Sequence, residues 1–133
     1  METTDRGELV RRYAEASRDD DFDTLSRLRH RDWQQTWPQS GETVMTSADY
    51  HDLRVNRPEG APRVSVGANA GGSGDDWWTE LIVDYADGSR WLAINLIELR
   101  DGLVYRERIY FGQPFAPPPW RARWVTQGPP AIS

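Results

Sequence analysis

The spacing of hydrophobic and polar positions changes from helical to strand-like along the chain. From Arg6 to Ser17, apolar residues recur at helical spacing, and arginine and glutamate occupy the opposite face. The apolar members of this stripe are Leu9, Val10, Tyr13, Ala14 and Ala16. The pattern predicts an amphipathic first helix.

Two shorter helices are predicted after it. The acidic turn Arg18–Asp21 supplies carboxylates that can accept the free N–H groups at the start of a helix over Phe22–Leu28. A third helix, ending near Val55, can begin at the hydroxyl of Thr46 or Ser47. The first half of the chain is therefore expected to be mainly helical.

The segments between these helices and the later strands contain proline and glycine. In RDWQQTWPQSGE, a proline follows Trp37 and favours extended backbone there, so we expect a short strand or a loop that crosses the fold. After a loop over Arg57–Pro62, RVSVGANA alternates like a strand. The following GGSGDD lacks a phosphate-binding lysine and carries two aspartates, which favours a plain connection.

Two Asp-Gly pairs divide the second half into strands. Asp87-Gly88 and Asp101-Gly102 separate WWTELIVDYA, SRWLAINLIEL and LVYRERIYF, a pattern typical of consecutive hairpins. Helices followed by a strand meander predict an α+β domain, with the helices on one face of a curved antiparallel sheet. Residues 113–133 are expected to form an extended, proline-rich tail that wraps the surface of this single domain of residues 1–133.

Turn length decides which side chains face the helices. If Asp87-Gly88 is a two-residue turn, the pleat puts one set of strand residues on the covered face: Thr79, Leu81, Val83, Leu92, Ile94 and Leu96. The opposite face then carries Trp78, Glu80, Asp84, Trp91, Asn95 and Ile97. A two-residue turn at Asp101-Gly102 adds Tyr105, Glu107, Ile109 and Phe111 to the covered face, whereas a bulged three-residue turn reverses that assignment.

Composition removes several classes of function. The 133 residues include no cysteine, which excludes disulfides and thiolate catalysis, and all sixteen basic residues are arginine, which excludes a lysine Schiff base. A net charge of −5 disfavours nucleic-acid binding. The start lacks a signal-peptide pattern and no apolar run approaches a membrane span, so we expect a cytoplasmic protein without a membrane partner.

Four segments resemble SnoaL-like proteins of the nuclear transport factor 2 superfamily. They are LVRRY in the first helix, the acidic turn with DFDTLSRL, HRDWQQTWPQSGE, and the ending ELRDGLVYRERIYFGQPF, which together span roughly residues 8 to 115. WPQSGE followed by PFAPPPWRARWV resembles a bacterial branch to which no reaction is assigned. The resemblance implies a cone-shaped α+β barrel around a small-molecule pocket.

The superfamily contains isomerases, cyclases, epoxide hydrolases, dehydratases and non-catalytic binders, so the resemblance does not choose a reaction. Tyr13 matches the tyrosine of ketosteroid isomerases, but their base falls on Trp37 and their second acid falls near Ile94. The late carboxylate of the cyclases and epoxide hydrolases falls on Gly112. The resemblance therefore implies a pocket without the familiar set of acids.

Three residues are candidates for proton transfer. Glu107 is a general base if it faces the apolar interior, and a surface glutamate beside two arginines if it does not. Tyr13 can donate a hydrogen bond to a ligand, or can simply be core. His51, beside Asp52 on the third helix, can act as acid or base or can face solvent.

An apolar ligand needs an apolar wall. Trp33, Trp37 and Tyr50 can supply an aromatic one, although ordinary core packing explains them equally well. From the sheet we expect ligand contacts from Leu92, Ile94, Leu96, Ile109 and Phe111. Gln39, Ser40 and Glu42 can line the mouth, or can form a turn at Ser40-Gly41.

Two functions stay open. The first is an enzyme without cofactor that acts on an apolar small molecule by proton transfer, and the second is a non-catalytic binding or dimeric partner protein. His30 is expected to be a cap or a surface group, and two histidines without clustered carboxylates argue against a metal site. Aromatic residues on the outer sheet face predict a homodimer.

Overall fold

The computed structural model describes residues 3–130 and begins with the expected helices. Helix α1 spans Thr3–Arg18, α2 spans Phe22–Leu28 and α3 spans Ser47–Val55. Asp21 caps α2 by accepting the Thr24 N–H at 3.2 Å, and Thr46 caps α3 by accepting the Asp49 N–H at 3.0 Å. The acidic turn and the hydroxyl cap therefore start the helices as the sequence predicts.

Six strands form one sheet beside these helices. They are β1 (Arg29–Trp37), β2 (Glu42–Val44), β3 (Arg63–Ser73), β4 (Asp76–Asp84), β5 (Arg90–Arg100) and β6 (Leu103–Gly112). Their order is β2-β1-β6-β5-β4-β3. The predicted α+β cone fold is confirmed, and GGS of the predicted connection belongs to β3.

The sheet is mixed, where the sequence predicted an antiparallel one. Strand β1 runs parallel to β6, with Gln35 opposite Glu107, while the other pairs are antiparallel. A parallel neighbour requires a long crossover, and the chain from β2 to β5 supplies it. This pairing brings the first strand against the last one and places Gln35 beside Glu107.

The β4–β5 turn is one residue longer than predicted. Tyr85 and Ser89 close the loop, with the Tyr85 N–H donating to the Ser89 carbonyl at 2.9 Å. Gly88 adopts φ +87°, the left-handed position of a three-residue hairpin loop. Leu81 consequently faces Ala93 and Thr79 faces Asn95 across the strands. This one-residue shift reverses the predicted facing of every β5 side chain.

The β5–β6 turn has the predicted two residues. Asp101 and Gly102 have φ of +53° and +73°, as a type I′ turn requires, and Arg100 pairs with Leu103. The register then shifts once between Glu98 and Leu99. This irregularity compensates for the shifted β5, so that Glu107 still faces the helices.

The core lies between the helices and the inner face of the sheet. One cluster joins α1 and α2 to the strands and includes Leu9, Leu25, Trp33, Ile97 and Val104. A second cluster, of Leu81, Val83, Ala93 and Ile109, lies farther along the sheet. In the tail, a 3₁₀ helix over Pro119–Trp124 interrupts the predicted extended chain.

Candidate functional site

A pocket of about 110 Å³ lies between the helices and the inner face of the sheet. Tyr13 of α1 and Tyr50 of α3 line one side of it. The sheet side is mainly apolar and comprises Val64, Leu81, Val83, Ala93, Ile109 and Phe111. In another protein, an engineered apolar cavity of about 150 Å³ holds benzene. The enclosed space here therefore suits a ligand of about one ring.

The carboxylate of Glu107 lines this pocket although only 2% of the residue is exposed. Its Oε2 accepts hydrogen bonds from the Tyr13 hydroxyl and the Trp33 indole N–H, each at 2.7 Å. The Gln35 amide adds a third donor to Oε2 at 3.3 Å. Oε1 accepts from the Asn95 amide at 2.7 Å. These four donors replace the water that a buried carboxylate loses.

Arg29, at the start of β1, holds the other end of this network. Its Nε donates to the Tyr13 hydroxyl at 2.7 Å and its Nη1 donates to the Ser47 hydroxyl at 2.9 Å. The guanidinium carbon lies 3.9 Å from the Trp33 ring centroid and 4.4 Å from that of Tyr50. The buried cation is therefore held by hydrogen bonds and aromatic faces.

The charges around Tyr13 fix its protonation state. Burial, followed by the negative charge of Glu107, raises the pKa of Tyr13 well above its ordinary value of 10.0, and Arg29 only partly opposes that rise. Tyr13 therefore stays a neutral hydroxyl near neutral pH. It accepts from the guanidinium and donates to the carboxylate, so it links the two charges.

Asn95 leaves an unused acceptor beside the carboxylate. It is 4% exposed and lines the pocket, and its Nδ2 is engaged by Glu107. Its buried Oδ1 has no hydrogen-bond partner within the described chain. A buried polar atom without a partner costs free energy. A ligand with a hydroxyl or N–H group can remove that cost.

Several predicted site residues meet here. Tyr13 and Glu107 are in direct contact, and both line the pocket. Of the predicted wall, Trp37, Tyr50, Ile109 and Phe111 line the pocket. Trp33 lies behind it, buried against Glu107 and edge-on to Tyr50 with ring centroids 6.1 Å apart.

Three predicted ligand contacts are on the other side of the sheet. Leu92, Ile94 and Leu96 alternate with the buried Ala93 and Asn95, and Ile94 is 39% exposed. The expected facing is wrong because the β4–β5 loop has three residues and not two. The predicted outer positions of Trp91, Asn95 and Ile97 are wrong for the same reason.

Neither histidine belongs to the site. His51 is exposed on α3, packs on the Phe22 ring at a centroid distance of 4.2 Å and does not line the pocket, as the solvent-facing alternative predicted. His30 was expected to be a cap or a surface group: only 9% of its side chain is exposed, and its Nδ1 accepts the backbone N–H of Asp32 at 3.0 Å, as a cap does. It packs edge-on against Tyr105 and lies 3.4 Å from an Asp101 oxygen.

The segment after β1 forms a turn and not a pocket lining. The N–H groups of Ser40 and Gly41 donate to the Trp37 carbonyl at 3.2 and 2.9 Å. Gln39 is tied to the end of β6, where its amide donates to the Phe111 carbonyl at 2.7 Å. The turn interpretation of this segment is confirmed.

Sequence reasoning missed Arg29, Gln35 and Asn95 as members of the site. A signal for Gln35 existed, because Trp33, Gln35 and Trp37 alternate on one face of β1. A glutamine between two buried tryptophans indicates a polar partner inside the fold. Arg29 gave no such signal, since an arginine at the end of a helix is usually solvated.

Within residues 3–130, no group of three or more histidine, aspartate or glutamate side chains is arranged to hold a metal ion. None of the helices there is long and apolar enough to cross a membrane.

Helices packed on a curved sheet, with the pocket between them, define the fold of this chain, and solved structures share that fold. A protein of unknown function from Burkholderia xenovorans, described as NTF-2 like, is 31% identical, covers 95% of this chain and 97% of its own length, and superposes with a TM-score of 0.80. The chain belongs to the nuclear transport factor 2-like family.

More distant structures show the same fold. A candidate ketosteroid isomerase from Kribbella flavida is 24% identical over 96% of this chain and 92% of its own, with a TM-score of 0.83. A candidate SnoaL-like polyketide cyclase from Jannaschia is 17% identical over 82% and 86%, with a TM-score of 0.65. No protein-family model matches the sequence. A search of curated proteins also finds no match.

Proposed function

We propose that this chain is an enzyme without cofactor that moves a proton on a small, mainly apolar substrate, with Glu107 as the base. One observation carries the proposal: a carboxylate that is 2% exposed lines a pocket whose sheet side is mainly apolar, and within the described residues its Oε1 accepts one hydrogen bond. Each carboxylate oxygen has about two acceptor sites, so Oε1 keeps one for a substrate proton.

The other residues position this base. Tyr13, Trp33 and Gln35 hold Oε2, which fixes the carboxylate plane and leaves Oε1 as the reactive atom. Arg29 supports the negative charge through Tyr13. The apolar walls exclude water from the proton that is transferred. Isomerisation, cyclisation and elimination next to a carbonyl all begin with such a step.

The test is proton exchange on a panel of single-ring and fused-ring ketones and lactones, followed in D₂O by NMR. We expect the wild type to exchange the proton next to the carbonyl of at least one compound. Glu107→Gln removes the base and should slow that exchange roughly 100-fold or more. Glu107→Asp keeps the charge but withdraws it by one methylene, and should also be slow.

Glu98→Gln is the matched control, since Glu98 is exposed on the other side of the sheet. Circular dichroism melting confirms that each variant is folded. Exchange that is equally fast in Glu107→Gln, or a panel that binds without exchange, contradicts the base assignment.

A non-catalytic binding protein is the second candidate. One observation favours it: among the described residues that line the pocket, Glu107 is the single carboxylate, so no second acid is present to return a proton. Binding in the pocket without any exchange is the result that this candidate predicts.

We also propose that two copies pair through the outer face of the sheet, the side away from the helices. Trp78, Ile94 and Tyr110 are 38 to 39% exposed on that side, and Ile94 lies directly opposite Tyr110. Apolar surface of this kind commonly marks an interface.

A further inference from the structure

The pocket carries more positive than negative charge, although the chain as a whole has a net charge of −5. Arg29, Arg54 and Arg57 line it together with one acid, Glu107. The excess is therefore a property of this place and not of the composition. The three arginines differ in their ion-pair and hydrogen-bond partners within the protein, and so in whether their charge is available to a ligand.

Two of the three arginines are already occupied. Arg29 is buried, hydrogen-bonded to Tyr13 and Ser47, and balanced through Tyr13 by Glu107. Arg54 donates to an Asp20 carboxylate oxygen at 3.0 Å and to the Pro62 carbonyl at 3.0 Å. Glu107 therefore offsets the charge of Arg29 through Tyr13, and Asp20 offsets the charge of Arg54.

Arg57 is different. Its residue is exposed, its guanidinium carbon lies 5.0 Å from the Tyr85 ring centroid, and both residues line the pocket. Within the described chain, Arg57 forms no ion pair; Asp87, on the neighbouring loop, influences it only through space. A guanidinium beside an aromatic face and without a bound acid is suited to a carboxylate, which it can hold with two parallel hydrogen bonds.

Two buried oxygen atoms in the same pocket can each accept a further hydrogen bond. Asn95 Oδ1 has no partner in the part of the chain described, and Glu107 Oε1 accepts a single hydrogen bond. Two acceptors with unused capacity require a donor, such as a ligand hydroxyl. Along β4, the pocket-lining Leu81 and Val83 lie between Thr79, which pairs with Asn95, and Tyr85, whose ring is beside Arg57.

We infer that the ligand of this pocket is a small carboxylic acid with a ring-sized apolar body. Its carboxylate binds Arg57, and a hydroxyl at its other end binds Asn95 and Glu107. With Arg29 offset by Glu107 and Arg54 offset by Asp20, one positive charge remains, and a single carboxylate balances it. The inference names a ligand class for the pocket of the proposed function and rests on that function.

The test compares matched single-ring probes by isothermal titration calorimetry. They are para-hydroxybenzoate, para-hydroxyphenylacetate and para-hydroxyphenylpropanoate, with para-hydroxyphenylacetamide as the neutral analogue, phenylacetate as the analogue without hydroxyl, and tyramine as the cationic one. We expect at least one acid to bind tenfold or more tightly than the amide, and we expect this preference to shrink as salt is added.

Arg57→Gln should abolish the preference for the acid while the amide still binds. Arg31→Gln is the matched control, because the Arg31 side chain is 88% exposed and lies outside the pocket. Asn95→Leu should weaken the binding of para-hydroxyphenylacetate more than the binding of phenylacetate.

Equal binding of acid and amide, tighter binding of tyramine, or no binding of any acid overturns the inference. None of these results touches the proton-exchange assay with neutral ketones, which tests Glu107 alone. The failure of the substrate class and the failure of the proposed base are therefore distinguishable.

Discussion

Tyr13 connects the buried cation to the buried carboxylate, and removal of its hydroxyl disturbs both. Without it, Arg29 Nε loses its acceptor and Glu107 Oε2 loses a donor at 2.7 Å. Buried groups left unpaired cost about 1–3 kcal/mol. We expect Tyr13→Phe to lower the free energy of unfolding by this amount at pH 7, measured by urea denaturation.

The same residue predicts a dependence of stability on high pH. The folded pKa of Tyr13 is raised above the unfolded value of 10.0, first by burial and then by Glu107. Its contribution is fully present below pH 10.0 and is lost as the pH rises toward the folded pKa, because the unfolded chain then releases a proton that the folded chain retains.

Urea midpoints of the wild type should therefore fall above pH 10.0, and those of Tyr13→Phe should fall less. Tyr50 and Tyr85, whose pKa values burial also raises, keep part of the slope in the variant. Identical slopes for the two proteins would contradict the assignment.

At the scale of single residues, the sequence predicts only part of the site. The apolar stripe of α1 locates Tyr13, and the Asp101-Gly102 turn locates Glu107. Arg29 and Asn95 are not predicted because Arg29 meets Tyr13 through helix packing on the sheet and Asn95 meets Glu107 through strand pairing. Local patterns do not contain such contacts.

At the scale of the elements, turn geometry decides which face of the sheet each strand side chain occupies, and the β4–β5 loop is the example. The Asp-Gly pair correctly predicts a hairpin but does not specify its loop length, since both two- and three-residue loops accept glycine. One extra residue moved Asn95 to the pocket and Ile94 to the outer face. Hairpin existence is thus predictable from the sequence, whereas register is not.

Gly88 permits this three-residue loop because its φ is +87°. A Cβ there would meet no atom within 4 Å, so Gly88→Ala tests backbone conformation alone. We expect a loss of about 1–2 kcal/mol in the free energy of unfolding. Gly88→Asn should lower the free energy of unfolding by less, because asparagine tolerates the left-handed region.

Gly128→Ala is the control, since Gly128 is equally uncrowded but has no positive φ. Equal urea midpoints for Gly88→Ala and Gly128→Ala would show that the loop does not need the left-handed residue.

At the scale of the whole molecule, the order of helices and strands was enough to predict the α+β fold. It did not reveal that β1 runs parallel to β6, because about half of the chain lies between those strands. The outer face was predicted to carry aromatic residues, and Trp78 and Tyr110 do lie there. The homodimer itself stays a prediction.

Light scattering tests the dimer. We expect the wild type to have twice the chain mass of 15.3 kDa, and Ile94→Glu to have the single-chain mass, because a charge replaces an apolar contact at the centre of the outer face. Thr43→Glu, on the exposed edge strand β2, should remain a dimer. A single-chain mass for the wild type at all concentrations tested would contradict the proposal.

The parallel pairing of β1 with β6 also determines when the protein can fold during synthesis. Glu107 is on the last strand, while Tyr13, Arg29, Trp33 and Gln35 belong to the first 35 residues. Nearly the whole domain must therefore be synthesised before β1 can pair with β6. Pairing between strands so far apart in the sequence is slow. Until then the early tryptophans are unburied, so the nascent chain gains its pocket and its protected core in the same late event.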